Sequence, residues 1–352
     1  MKLTIKNLRK TCLIILFSIV ARISNAQTID YDTNYVLSYY KNLVVTAVSE
    51  SKANLVYMNF QTPKKVYELN YKTNSLLTYG FCLDYKWLSL EYTTQMPWTE
   101  LHPERGESKN FGVGFGFSFR KWTFRNFLQV SEGYYLENTN AWQSNYWQNN
   151  SPYYVRPDIS TSTYYSTLNY IFNHKKFSNA ASLWQLERQL KPVGTFVLGA
   201  SYIYNNFYAD SSIVPTIPNV NYPRNQNTYF SLNAIGINFG WQGTLPLFRS
   251  KKWFIGTAII PGFSYQFGKL TVADLGTINK DKLIGYQSEF RSSLGFNGDK
   301  WYICASYRAF GNVNAINHSE PLSITNSYTR LYVGYRFNDP QIKHPLVQKF
   351  RL

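Results

Sequence analysis

Between residues 111 and 120 the chain reads FGVGFGFSFR, and this stretch restricts the possible folds more than any other. Phe111, Val113, Phe115, Phe117 and Phe119 fall on one face of an extended chain, with Gly112, Gly114, Gly116, Ser118 and Arg120 on the other. Side chains alternate across a strand, so a two-residue period predicts a sheet whose faces differ chemically. The period returns at 329–337, where Leu331, Val333, Tyr335 and Phe337 oppose Arg330, Tyr332, Gly334 and Arg336. It returns again at 283–297, where Ile284, Tyr286, Phe290, Leu294 and Phe296 oppose Gln287, Glu289, Arg291, Ser293 and Asn297. Past Gln27 no helical period persists, and no Gly/Ser/Pro linker divides the chain.

Twelve segments carry the pattern: 76–84, 86–94, 110–120, 122–134, 160–173, 177–190, 194–206, 228–242, 252–266, 283–297, 300–311 and 325–337. Several exceed ten residues. Soluble strands run to about five or six, whereas tilted membrane strands need about nine to eleven. With 18% aromatic and only 16% charged residues, disorder is excluded. A helical membrane protein, which needs several apolar stretches of about 20 residues, is disfavoured. A soluble sandwich and a membrane barrel both alternate; in the barrel the apolar face meets lipid and the polar face lines the lumen.

The turns separate the two. Trp87, Trp122, Trp253 and Trp301 each directly follow a Lys where one strand gives way to the next, and Lys176-Phe177 is a looser fifth case. Chance would place Lys before fewer than one of the nine Trp. Indole rings favour the membrane–water interface and Lys snorkels to headgroups, so the repeated pair reads as a girdle on the periplasmic rim. Short turns at 84–86, 120–121, 173–176 and 298–300 against long polar connections at 95–109, 135–159, 267–282 and 312–324 fit the same asymmetry. The predicted fold is therefore all-β, an up-and-down antiparallel transmembrane β-barrel of 12 to 14 strands spanning 76–337. One difficulty stands: segments 194–206 and 228–242 would both have to run downward. Either 207–227 hides an upward strand or the assignment slips, and residues 42–60 hold a further candidate strand.

The N-terminus points to export. Lys2, Lys6, Arg9 and Lys10 precede the apolar run Thr11 to Ala21, and Ser24-Asn25-Ala26 offers a cleavage site before Gln27. Residues 1–26 thus read as a signal peptide, too short in its apolar run to span a membrane. Residues 27–75 form an N-terminal segment with a candidate first strand, and 338–352 a periplasmic tail after the closing strand. The expected location is the outer membrane of a Gram-negative bacterium.

Three motifs carry a resemblance. Gly133-Tyr134-Tyr135-Leu136, Tyr154-Val155-Arg156-Pro157-Asp158-Ile159 and Ala209-Asp210-Ser211-Ser212-Ile213-Val214-Pro215 are similar to motifs of an uncharacterised Bacteroidota outer-membrane family, a domain of unknown function, over nearly the whole mature chain. The resemblance implies location and barrel architecture and brings no catalytic residues. Pro157 fixes its own φ and keeps Arg156 extended, so Arg156 and Asp158 either hold a loop or bind a ligand at the barrel mouth. Asp210-Ser211-Ser212 can cap a turn.

No catalytic, cofactor or metal site is expected. The four His form no ligand spacing, and Cys82 and Cys304 lie far apart, leaving a disulfide open. His102 with Glu100, Glu104 and Ser108 is the one patch resembling a Ser/His/acid set, which keeps a lipid-modifying enzyme as the least favoured class. No nucleic-acid motif is present. The net charge of +16, five cations of it in the leader, suits acidic lipopolysaccharide and interface anchoring. The expected partners are outer-membrane lipid, lipopolysaccharide, the barrel assembly machinery and an unknown surface partner. On the lumen phase of the last segments lie Arg291, Arg308, Arg330 and Arg336, answered there by Glu289, with Asp84 and Glu91 available from the first segments. A surplus of Arg implies a hydrated lumen and, with conduction, anion preference. A small pore and a structural or binding barrel without conductance both remain, to be separated by how crowded the lumen is.

Overall fold

The computed structural model describes residues 31–61, 66–74, 77–95, 102–142, 152–213, 227–272, 276–279, 283–315 and 321–340. In chain order its strands are β1 (Val36–Ser38), β2 (Leu43–Gln61), β3 (Val66–Lys72), β4 (Leu77–Tyr85), β5 (Leu88–Gln95), β6 (Lys109–Ser118), β7 (Trp122–Leu136) and β8 (Tyr154–Ile171). They continue with β9 (Glu187–Gln189), β10 (Val193–Tyr208), β11 (Asn227–Leu247), β12 (Trp253–Val272), β13 (Gly276–Asn279), β14 (Leu283–Asn297), β15 (Trp301–Ala315) and β16 (Pro321–Phe337). Twelve of them, β2, β4 to β8, β10 to β12 and β14 to β16, pair antiparallel around a closed ring. The first wall strand meets the last from Leu43↔Phe337 to Met58↔Leu322, and β11 meets β12 on the far side. Closure leaves no edge of unpaired backbone, which is what a strand needs in order to cross lipid.

Side-chain alternation sorts the wall into two faces. Phe81, Phe115, Ile237, Phe263, Ile284 and Leu331 point outward and are exposed, Ile284 by 82%. An apolar band of that kind, continuous around the ring, is covered by lipid. Facing inward, Thr46, Glu50, Lys52, Asn126, Gln129, Thr163, Asn238, Gln287 and Asn326 are buried. The molecule is a transmembrane β-barrel, and barrels of this build belong to outer membranes.

The sequence pattern misplaces one element. Residues 177–190, expected to be a strand, leave the wall as the short helix Asn179–Leu183 followed by β9, and β9 pairs with β1 away from the ring. Alternating inward and outward positions cannot distinguish a wall strand from a segment buried on all sides. With that segment removed, β10 runs up and β11 runs down, so no hidden strand is needed at 207–227. The count stays at twelve because β2 takes the vacated place. Phe177 is accordingly buried in the interior rather than part of the rim.

The wall also changes along its length. The β5–β6 hairpin is short, and beyond it β3 bridges β2 to β7 directly, through Leu55↔Lys72 on one side and Tyr71↔Leu136 on the other. The ring therefore loses two strands at the end away from the Lys-Trp turns, and narrows there. At the same level the β7–β8 register breaks between Glu132 and Tyr134. Gly133 makes the break at φ +77°, and a Cβ there would lie 2.1 Å from the Glu107 carbonyl oxygen. Only glycine fits.

Candidate functional site

At the narrow end, opposite the Lys-Trp turns and here termed outer, the three sequence motifs meet. Arg156 grips Asp158 with two parallel hydrogen bonds, Nε to Oδ1 and Nη2 to Oδ2, both 2.7 Å. Its remaining donors reach across to the carbonyls of Ser212 at 2.7 Å and Ser211 at 3.1 Å, and to the Ser211 hydroxyl. The Asp210 backbone N–H donates to Asp158, and the Tyr71 hydroxyl donates to the Ile213 carbonyl at 2.7 Å. The guanidinium is committed to fixing residues 209–213 over the barrel mouth. Beneath this knot Val56, Leu69, Tyr71, Tyr134, Leu136, Ile159, Phe207 and Ile213 fill the lumen with one apolar cluster.

Halfway down, inward charged side chains of neighbouring and nearby strands interlock. Arg330 bonds Glu50 at 2.6 Å and also Glu91, Lys52 pairs with Glu50 at 2.7 Å, and Arg308 bonds Glu289 at 2.8 Å. Arg291 lies 3.4 Å from Glu289 and donates to Gln242. The expected excess of unanswered Arg is thus largely met. Glu91 and Glu50 answer Arg330, whereas Asp84 makes no ion pair among the described residues. Glu50 and Lys52 escaped the sequence reading because both faces of β2 are rich in Val and Ala there, which erases the alternation. An aromatic layer of Phe127, Tyr165, Phe310 and Tyr328 lies against this belt, and Gly116 leaves room for the Arg125 side chain, whose Cδ would sit 2.8 Å from a Cβ at that position.

The inner end is closed by the inserted segment. Ser178 caps the short helix by accepting from Ala181 N–H at 2.9 Å, and its hydroxyl donates to Glu187. Glu187 also receives Arg120 at 2.6 Å. From the wall, Asn297 Nδ2 donates to the Glu187 carbonyl at 2.8 Å and Arg336 donates to the carbonyls of Gln185 and Gly298. Arg336 therefore pins the plug instead of lining an aqueous path. At the rim Arg188 and Lys252 both donate to Asp299, at 2.8 and 3.1 Å. Those two hydrogen bonds hold the Asp299 carboxyl at about 2, while burial pushes Glu187 up despite Arg120 and Ser178. Between this floor and the charged belt lies a chamber of about 100 Å³ open to the centres of water molecules.

The Lys-Trp turns all fall on this inner end, and each indole packs on an aromatic ring one strand away. Trp301 packs at a tilt against Tyr335 with centroids 4.5 Å apart, as Trp87 does against Phe117, while Trp122 and Trp253 meet Tyr170 and Phe296 edge-on. The partner rings are separated from the Trp by up to dozens of residues, so the sequence pattern does not reveal them. His102 lies 3.4 Å from Glu104 and both are partly exposed. The Ser108 hydroxyl donates to the Gly133 carbonyl at 2.7 Å and accepts from Asn74 N–H; Glu100 lies outside the described residues, as do residues 1–30. Cys82 and Cys304 are free. They pack near one cluster, but β2 and β16 lie between their strands. At about 4.8 Å per strand that spacing exceeds the reach of a disulfide. Among the described residues no group of His, Cys, Asp and Glu is arranged to hold a metal ion.

Comparison with solved structures finds other barrels. The outer-membrane protease OmpT from Escherichia coli aligns over 89% of this chain and all of its own, at 8% identity and TM-score 0.39. The translocator domain of the autotransporter NalP from Neisseria meningitidis aligns over 84% and 88%, at 10% identity and TM-score 0.34. The toluene transporter TodX of P. putida aligns over 90% and 92%, at 8% identity and TM-score 0.28. Values this low leave each of them a similar barrel and nothing more. A search of curated proteins finds no match. Residues 30–337 match a family model described as a domain of unknown function, and the chain belongs to that family, DUF4421.

Proposed function

We propose that this protein is a plugged outer-membrane barrel of Bacteroidota that serves as a structural or ligand-binding component and does not conduct at rest. The observation that carries the reading is the segment around Asn179–Leu183 and β9, which enters the lumen and is bonded to the wall through Arg336, Asn297 and Arg120. The apolar cluster and the Arg156 knot support it at the other end. A leader at 1–26 and assembly by the barrel machinery belong to the same proposal, with outer-membrane lipid and lipopolysaccharide as surroundings. The proposal takes the role to be non-catalytic, a reading supported by the Ser108 hydroxyl, which donates to a backbone carbonyl.

The test is planar-bilayer recording of the purified mature protein, after its gel mobility has been shown to shift on boiling as a closed barrel's does. Silent membranes are expected across the voltage range. Stepwise conductance in the unaltered protein would defeat the proposal in favour of a small pore.

A further inference from the structure

Residues 31–42, which precede the first wall strand, run along the inserted segment as a strap. β1 lies within them and pairs with β9 through Val36↔Gln189, Leu37↔Arg188 and Ser38↔Glu187. The pairing continues past both ends of the strand: Leu190 N–H donates to the Tyr35 carbonyl at 2.7 Å, and Tyr39 N–H to the Leu186 carbonyl at 2.9 Å. Gln189 Nε2 donates to the same Tyr35 carbonyl, and Asp32 N–H to that of Lys175. The strap is the outer layer of the two. Asn179 to Ser182 and Glu187 to Gln189 are buried, whereas Thr33, Asn34, Leu37 and Lys41 of the strap are exposed, and no strap residue lines the chamber. A turn closed by Asn42 N–H on the Tyr39 carbonyl joins the strap to β2. It can therefore swing away without any strand leaving the ring.

The ties between floor and wall supply a second observation. Arg336, which donates to the Gln185 carbonyl, holds its guanidinium over the Tyr39 ring, 4.0 Å from the centroid. Arg120, paired with Glu187, lies 4.1 Å from the centroid of Tyr31. Asp299, which receives Arg188, also accepts from the Tyr39 hydroxyl at 3.1 Å. Three polar ties of the floor are thus each covered by a strap tyrosine. Such ties are worth little where water competes for the same groups and more where water is kept off.

We propose that residues 31–42 are the latch of the inner seal: the seated strap holds the floor, and its displacement releases the floor and opens the chamber at the Lys-Trp end. The inference rests on the closed lumen proposed above. Bilayer silence of the unaltered protein judges closure; the measurements below judge what holds the floor.

Cys82 lines the chamber and reports its opening. In mature protein carrying Cys304→Ala, the reaction of Cys82 with a charged methanethiosulfonate reagent is timed in detergent. Deuterium exchange is followed in parallel across 31–42, 177–190 and the wall strands. Val36→Asp places a charge at a position that is 1% exposed, and Tyr39→Ala uncovers Arg336 and Asp299. Each should speed Cys82 labelling about tenfold or more and strip protection from 177–190. The wall amides and the boiling-dependent mobility shift should stay as they are. Leu37→Asp, at a neighbouring position that is 41% exposed, should change neither reading. In the unaltered protein the floor amides of Ala181, Trp184 and Leu190 should exchange no faster than the strap amides of Leu37 and Tyr39. Labelling and exchange in Val36→Asp and Tyr39→Ala equal to those of the unaltered protein overturn the proposal. So does loss of wall protection together with that of the floor, or an effect of Leu37→Asp as large as that of Val36→Asp. If neither variant assembles, the unaltered protein decides: floor amides that exchange faster than the strap amides overturn it, and equal or slower exchange supports it.

Discussion

The two ends of the lumen are closed by different physics. The outer end is sealed by the wall itself: the ring narrows, β3 crosses from β2 to β7, and apolar side chains from many strands meet. The inner end is sealed by a separate piece of chain, held by carbonyls, ion pairs and a capped helix of five residues. Removing the first seal means remaking the wall. The second can leave while the wall stays, because its bonds are polar and water at that face can replace them. A barrel so built has a fixed lid and a floor that is in principle detachable.

The largest effect should come from deleting that floor. Replacing 177–189 by a short Gly/Ser turn between β8 and β10 should leave the boiling-dependent mobility shift intact, and bilayer recordings should show whether the outer cluster seals alone. Frequent conductance would mean that the outer seal leaks and that the contrast between the ends is weaker than drawn. Continued silence would sharpen it. Next in size is Leu69→Ala, which empties a fully buried position in the outer cluster and should cost about 3 kcal/mol in refolding from urea into vesicles. A loss well under 1 kcal/mol would show that the cluster is loosely packed.

Arg156→Ala and Arg188→Ala compare the charged contacts of the two ends directly. Arg156 is 5% exposed and answers an aspartate and two carbonyls, so its loss should cost about 2–3 kcal/mol, near the lower figure for breaking a buried pair because Asp158 is partly exposed. Arg188 pairs with an aspartate that is 62% exposed, so its loss should cost less than about 1 kcal/mol. Equal losses in the same refolding assay would remove the distinction.

The smallest effect is that of pH. The Asp299 carboxyl, held at about 2 against an ordinary 3.8, contributes stability that is fully present above the ordinary value. That contribution fades as pH falls from near 4 toward 2. Glu187 acts oppositely: burial raises it, so its charged form costs stability at neutral pH and the cost eases on acidification. Opening of the floor, read as deuterium exchange of the 177–189 amides corrected for its intrinsic pH dependence, should therefore be rarer at pH 5 than at pH 7, and return modestly at pH 3. In Asp299→Asn the return at pH 3 should vanish. A monotonic trend would show that one of the two carboxylates does not govern the floor.

The alternation in 111–120, 283–297 and 329–337 was enough to specify a wall with a lipid face and a lumen face, because a strand in a two-sided environment must repeat every second residue. The Lys-Trp turns were enough to mark one end of it, since interfacial preference is a property of the residue and needs no partner. Local pattern could not reveal what fills the lumen. The stretch 177–190 alternates like a wall strand, yet it is buried against Arg336, Asn297 and Arg120, which come from distant parts of the chain. The Arg156 and Asp158 pair was legible as a local contact, but its hold on 209–213 depends on β8 and β10 being neighbours. The Arg residues of β14 to β16 were legible as inward-facing; that Glu50 and Glu91 answer Arg330 was decided only by closure of the ring, which brings the first strands against the last. Burial relative to a membrane is written residue by residue, whereas charge pairing across a lumen is a relation between strands, and only the tertiary structure sets those distances.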